Sequence, residues 1–195
     1  MAGCRPLTPA EVAQVVRAFA DDFQGQRNKA LFIVGVKTGF RISELLSLKV
    51  SDVYRQGQVV DEVTVAKRNR KLKTASHTLP LHREAQQALG YWLACYQARE
   101  HLLPGDLPLF PARQGDHQAI SRVRAFQMLT DAFRACGLTG RLGTHTLRKT
   151  FAVTMYARLD ENIFKVQQAL GHKWITSTQA YLPINAEEIK RAILA

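Results

Sequence analysis

At 195 residues with 46% apolar content, the chain has the length and composition of one globular domain with a full core, which excludes disorder as its resting state. No apolar run reaches the roughly 18–20 residues a membrane span needs, and "MAGCRPLTPAEV" lacks the basic-then-apolar pattern of a signal peptide, so a cytoplasmic or nucleoid-associated protein without a membrane partner is expected. Lys and Arg number 27 against 16 acids, a formal charge of +11, which favours a polyanionic partner, nucleic acid first.

In chain order, "TPAEVAQVVRAFA" opens a helix. Thr8 is its N-cap, Pro9 its first residue and Glu11 completes a capping box, with Val12, Val15, Val16 and Phe19 on one face. "NKALFIVGVKTGF" predicts a more buried helix ending at Gly39, and "RISELLSLKV" a short one. Between Val50 and Leu81 the valine-rich "QVVDEVTVAK" and "KTASHTLPL" flank a polar "RNRK" turn, which predicts a hairpin in a small antiparallel sheet. "REAQQALGYWLACYQARE" returns to helix, with Ala88, Leu89, Trp92 and Leu93 inward. After a loop rich in Pro and Gly, "SRVRAFQMLTDAFRACG" is a helix closed by Gly137. "THTLRKTFAVTMYARL", capped by Thr144, and "ENIFKVQQALG", ended by Gly171, follow. A last helix begins with a second capping box, Asn185 to Glu188. The expected fold is α+β and mostly helical, with a small antiparallel sheet on one edge. Cys4, Cys95 and Cys136 are scattered, without a CxxC pair, so neither a disulfide framework nor a zinc site is expected.

Four polar clusters stand out. Arg41 lies between apolar segments with Glu44 one helical turn on, a pairing that orients a guanidinium for phosphate. His145 and Arg148 project from the first turn of a helix, where main-chain N–H groups favour an anion. "KRNRKLK" places five basic residues in seven at the hairpin tip. Lys67, Arg68, Arg70 and Lys71 there suit backbone phosphates, while Lys73 begins the return strand. Finally, "LGHKWITSTQAYL" delivers His172 just past a helix end, with Thr176 or Ser177 restarting a turn that carries Tyr181. A phenol with its ordinary pKa of about 10 is a weak nucleophile, and a surround of cations favours its anion. A tyrosine on a short segment of its own suits attack on an electrophile held by the other groups. Tyr54, Tyr91, Tyr96 and Tyr156 sit in no comparable constellation.

The ordered set Arg41, Lys73, His145, Arg148, His172 and Tyr181 resembles the tyrosine recombinases of the phage-integrase family. "TGFRISELLSLKVSDV" looks like the family's first arginine box, "HTLRKTFA" its His-x-x-Arg box and "LGHKWITSTQAYL" its His-to-Tyr segment. The resemblance runs from about Leu7 to the C-terminus. It implies a tyrosine-recombinase catalytic domain over residues 1–195 without the family's N-terminal core-binding domain, either a short member that acts without it or a catalytic domain from which it has been removed. It also implies a site-specific recombinase or integrase, as carried by phages and mobile elements, working on double-stranded DNA and self-associating on it as a tetrameric synapse. Arg41 and Arg148 would clamp the scissile phosphate, His145 and His172 would assist, and Tyr181 would form a 3′-phosphotyrosyl link. Lys73, or Lys71 beside it, would protonate the leaving oxygen, and Glu44 would support Arg41. Neither metal nor other cofactor is implied. A type IB topoisomerase and a non-cleaving DNA-binding protein of the same fold are the alternatives. The last helix, with Ile189 and Ile193 one turn apart, would dock on a neighbouring subunit or fold back on its own.

Overall fold

The computed structural model describes residues 3–69, 75–113, 118–182 and 193–194. The chain divides between Phe151 and Ala152 into two compact units, residues 1–151 and 152–195.

The first unit opens with α1 (Pro9–Ala18) and α2 (Phe23–Thr38). The expected capping box is present at α1, with the Thr8 hydroxyl accepting from Glu11 N and the Glu11 carboxylate accepting from Thr8 N. Asp22 caps α2 by accepting from Gly25 N at 2.7 Å. Seven consecutive residues of α2, from Ala30 to Val36, are buried, so this helix presents no polar face there and lies at the centre of the core. Against it pack α5 (Arg83–Glu100) and, through Phe32 and Phe133 with ring centroids 6.4 Å apart, α6 (Arg122–Ala135). Trp92 of α5 is fully buried, stacks on Tyr96 at 5.1 Å and meets Phe23 edge-on at 4.8 Å. Its indole N–H donates to Leu109 O, so the Pro-rich loop is tied to the core by a satisfied buried donor. Full burial of each such side chain is worth about 1.5–3 kcal/mol.

The expected single hairpin is two. Strands β1 (Tyr54–Arg55) and β2 (Gln58–Val59) pair around Gln56 and Gly57, both at positive φ, while β3 (Glu62–Val65) pairs antiparallel with β4 (His77–Pro80). Two successive left-handed residues reverse the chain within two positions, which splits the valine-rich stretch before Asp61. In β3 only Val63 and Val65 face the core, and Thr64 joins Thr78 across the ladder at 2.8 Å. Two four-residue helices, α3 (Ile42–Leu45) and α4 (Val50–Val53), link α2 to β1.

The N-terminal segment straps the loop ahead of α7 (Thr144–Arg158). Arg5 N donates to Arg141 O, Arg5 Nε to Thr139 O, and the guanidinium grips both Glu11 oxygens at 2.7 and 2.9 Å. Leu7 N donates to the buried Thr150 hydroxyl on α7. The second unit holds the C-terminal part of α7, then α8 (Ile163–Leu170) and α9 (Ile175–Gln179). Asn162 caps α8 by accepting from Phe164 N and Lys165 N. The capping box expected at Asn185 and Glu188, and Ile189, lie outside the described residues. No described helix is long and apolar enough to cross a membrane.

Two outcomes follow from these contacts. Hydrogen bonding from Arg5 holds the Glu11 carboxyl down at about 2. A depressed carboxyl stabilises the fold above its ordinary range and loses that contribution as pH falls through the lowered value, so the window is roughly pH 4.5 to 2. Acid titration of thermal stability is expected to lose of order 1 kcal/mol there, given the pair's partial solvent screening, and Glu11→Gln to flatten that part of the curve. Separately, Gly39 ends α2 at φ 63°, and a Cβ there would lie 2.4 Å from Phe151 Cδ1. Gly39→Ala is expected to cost about 2–4 kcal/mol in urea unfolding, from the left-handed backbone plus the overlap.

Candidate active site

The helical stop at Gly39 sets the first half of the site. Its left-handed turn redirects the chain so that Arg41 enters α3 in extended conformation as the residue preceding the helix. Glu44 is buried and folds back: one carboxylate oxygen accepts from Arg41 N at 2.7 Å, the other from Arg41 Nη1 at 2.9 Å. A single carboxylate therefore secures both the backbone and the guanidinium of Arg41, whose side chain stays a quarter exposed. The expected Arg41–Glu44 pairing is present, and its geometry leaves guanidinium surface for a further acceptor.

On α7, His145 is exposed in the first turn and Arg148 is buried one turn later. Arg148 Nη1 donates to Gly39 O, which anchors α7 to the segment leading into Arg41. Gly35 makes room for this helix: a Cβ there would come within 2.7 Å of Leu147 Cδ1. The helix begins at Thr144 itself rather than being capped by it. Thr146 instead turns back, its hydroxyl accepting from Gly143 N at 3.1 Å, because a side chain three residues into the turn reaches the first free N–H groups. Thr150 donates to Thr146 O while accepting from Leu7 N. These threonines escaped the sequence reading because a threonine inside a helix carries no motif; only their recurrence at 146 and 150 hinted at a polar seam.

His172 and Tyr181 belong to the second unit. Gly171 closes α8 at φ 60°, as expected, and His172 N donates back to Gln167 O. The imidazole is buried, with Nδ1 2.9 Å from Thr178 Oγ1, and its ring centroid lies 5.3 Å from that of Tyr181. Gln167 Nε2 donates to the carbonyls of His172 and Lys173. The expected restart at Thr176 or Ser177 is replaced by a helix from Ile175. Both of those side chains are exposed, and the buried Thr178 is the one that meets the histidine. Tyr181 follows α9 half-buried, its N–H donating to Thr178 O. Thr178 thus holds His172 by its side chain and Tyr181 by its main chain. Among the other tyrosines, Tyr96 is core and Tyr91 is surface.

Lys67 and Arg68 are exposed in a 3₁₀ turn after β3, consistent with a solvent-facing basic tip. Arg70, Lys71 and Lys73 lie outside the described residues. Among the described residues no group of three or more His, Cys, Asp and Glu side chains is arranged to hold a metal ion.

Removing one charge from the Arg41–Glu44 pair tests its weight. Glu44→Gln retains the shape but weakens acceptance from a cation and a main-chain N–H together. Chemical denaturation is expected to show a loss of about 1.5–3 kcal/mol, the range of charged hydrogen bonds.

Comparisons with known proteins agree with this architecture. The chain is 28% identical over 188 residues to a probable integrase/recombinase, YoeC, of Bacillus subtilis, covering 96% of this chain and 94% of that one. It is 27% identical to tyrosine recombinase XerC of Thermodesulfovibrio yellowstonii over 94% of this chain but 59% of the longer relative. Among solved structures, XerA recombinase superposes with a TM-score of 0.75 at 26% identity, covering 98% of this chain and 63% of XerA. XerH site-specific recombinase, in a post-cleavage complex with its palindromic difH substrate, shares the fold at a TM-score of 0.75 and 23% identity, over 96% of this chain and 51% of XerH. The phage integrase family model matches residues 5–188, which takes in all three motif segments, and the chain belongs to that family.

Proposed function

We propose that the chain is a DNA strand-transfer enzyme that cuts and rejoins duplex DNA through a 3′-phosphotyrosyl intermediate. The observation that carries this reading is the unit of His172, Thr178 and Tyr181, in which one threonine orients both a histidine and a tyrosine. A structural tyrosine gains nothing from a buried histidine held beside it, whereas a nucleophilic phenol needs a neighbour that manages its proton. Membership of a recombinase family and the intact set of arginines, histidines and tyrosine support the same reading.

In this mechanism Arg41 and Arg148 bind the nonbridging oxygens of the scissile phosphate. The carboxylate that fixes Arg41 and the carbonyl that fixes Arg148 orient the two guanidiniums before substrate arrives, so little reorganisation accompanies the charge that builds at phosphorus. His145, at the exposed start of α7, adds a hydrogen bond where the helix N-terminus already favours an anion. Tyr181 Oη passes its proton to the neighbouring His172 imidazole and attacks phosphorus. The bond from phosphorus to the 5′-oxygen breaks, and that oxygen takes a proton from Lys73, leaving a 5′-hydroxyl. A 5′-hydroxyl then attacks the phosphotyrosyl bond and Tyr181 is released, so the phosphodiester's energy is conserved through the covalent link. Lys67 and Arg68, with Arg70 and Lys71 of the same basic run, contact the backbone outside the cut. Four copies on two duplexes would exchange strands.

The test is a covalent trap. Wild-type protein incubated with a nicked suicide duplex should give a slow, protease-sensitive band on a denaturing gel. Tyr181→Phe should abolish it without changing the melting temperature by more than a degree or two, and Arg148→Lys should lower its rate by about 10²–10³. An adduct that survives Tyr181→Phe would remove Tyr181 from the mechanism.

A further inference from the structure

Arg27 is, with Arg148, a buried guanidinium among the described residues of the first unit, and it lies outside the motif segments. It is 2% exposed. Its Nη1 donates to Pro111 O at 2.7 Å, and Nε and Nη2 donate to the amide oxygen of Asn28 at 3.1 and 2.8 Å. Both acceptors are neutral. Burying a cation against dipolar acceptors carries a desolvation cost that the field of the Asp22 carboxylate offsets only in part, so a further anion is favoured there. Burial, followed by the field of Arg124, pulls the Arg27 pKa down to about 10 against the raising effect of Asp22, which still leaves it charged at neutral pH.

Arg27 lines an open cavity of about 400 Å³ together with Arg113 and Arg124, and among the described residues no carboxylate lines it. The fold brings the three arginines there from separate elements. Arg27 comes from the second turn of α2. Arg113 follows a short ladder in which Ile120 N donates to Phe110 O and Ala112 N to Gln118 O. Arg124 sits in the first turn of α6, its N–H donating to the Ser121 cap at 3.1 Å. Arg113 and Arg124 are exposed while Arg27 forms the buried floor. Three guanidiniums around one open cavity suit a tetrahedral oxyanion, which offers several oxygens to forked donors.

We propose that the cavity between Arg27, Arg113 and Arg124 binds one phosphate group, a DNA backbone phosphate apart from the one that Tyr181 attacks. The assignment to DNA rests on the strand-transfer reading above; free phosphate is the other source of the same chemistry.

The experiment uses the double variant Arg113→Gln/Arg124→Gln and leaves Arg27 in place, so the Pro111 carbonyl keeps its donor. Arg134→Gln, on the same helix α6 but away from the cavity, controls for loss of charge. Binding of a random-sequence duplex is followed against NaCl, and melting temperature against potassium phosphate at ionic strength matched with KCl. The double variant is expected to weaken DNA binding roughly tenfold and to lower the slope of log K against log salt by about 1, while Arg134→Gln shifts neither by as much. A phosphate-specific rise in melting temperature lost in the double variant, with the DNA slope unchanged, would keep the anion site but assign it to free phosphate. An unchanged slope and no phosphate-specific stabilisation would overturn the proposal. The covalent trap reads the other question: wild type that binds no duplex and gives no adduct sinks the strand-transfer reading, whereas an adduct, with an unaltered salt slope and no phosphate-specific stabilisation, sinks only this site.

Discussion

The first unit depends on the hydrogen bond from Arg148 to the carbonyl of Gly39. A helix end leaves carbonyls without partners, and a buried guanidinium cannot remain without acceptors. The contact gives the Gly39 carbonyl a donor and Arg148 Nη1 an acceptor. Because Gly39 turns left-handed at that point, the next residues leave α2 in a new direction and Arg41 emerges two positions on. The same contact that satisfies α2 therefore sets the separation of two motif segments more than 100 residues apart in sequence. Gly35 and Gly39 serve this one approach: at both positions a Cβ would collide with α7, through Leu147 and Phe151 respectively.

The second unit repeats the device with different residues. Gly171 ends α8 left-handed, and the next residue, His172, is turned inward to meet Thr178. In both units a glycine just past a helix is followed closely by a side chain of the proposed site, Arg41 in one and His172 in the other. A stop of this kind has one backbone solution, whereas a longer loop has many, so the side chain that follows is placed with little conformational freedom left to lose on binding. Tyr181 is positioned differently, by a five-residue helix whose main chain ends on Thr178.

Much of this was legible in the sequence wherever a local rule decided the outcome. The α1 capping box, the glycine stops at residues 39 and 171 and the Arg41–Glu44 spacing depend on neighbours within four positions, so short-range patterns sufficed. The split of the valine-rich stretch was missed because Gln56–Gly57 is a weaker turn signal than Asn-Gly, and a continuous alternation masked it. Thr178 was missed for another reason. Thr176, Ser177 and Thr178 are chemically interchangeable as text, and only the phase of α9 decides which of them is buried. Arg27 gave no signal because its acceptor at Pro111 is 84 residues away and its polar character resembles any solvated basic residue in a chain of +11.

Arg27, Arg41 and Arg148 are held by different acceptors, and the difference bears on how a basic protein handles a polyanion. Arg41 shares a carboxylate, which fixes its geometry but offsets part of its charge. Arg148 donates to a main-chain carbonyl, which helps to orient its guanidinium. Arg27 donates to neutral oxygens alone among the described residues. In a medium less polarisable than water, a cation oriented by dipoles projects a stronger field than one paired with an anion. Exposed lysines attract DNA from a distance, but salt screens them and they specify no geometry. Buried, dipole-oriented guanidiniums act over short range and in fixed directions, so they distinguish one phosphate from its neighbours along the backbone. For the strand-transfer reading proposed above, in which one phosphodiester must be singled out among many equivalent ones, that second kind of cation is the useful one, and Arg27 and Arg148 are both buried with a main-chain carbonyl as acceptor.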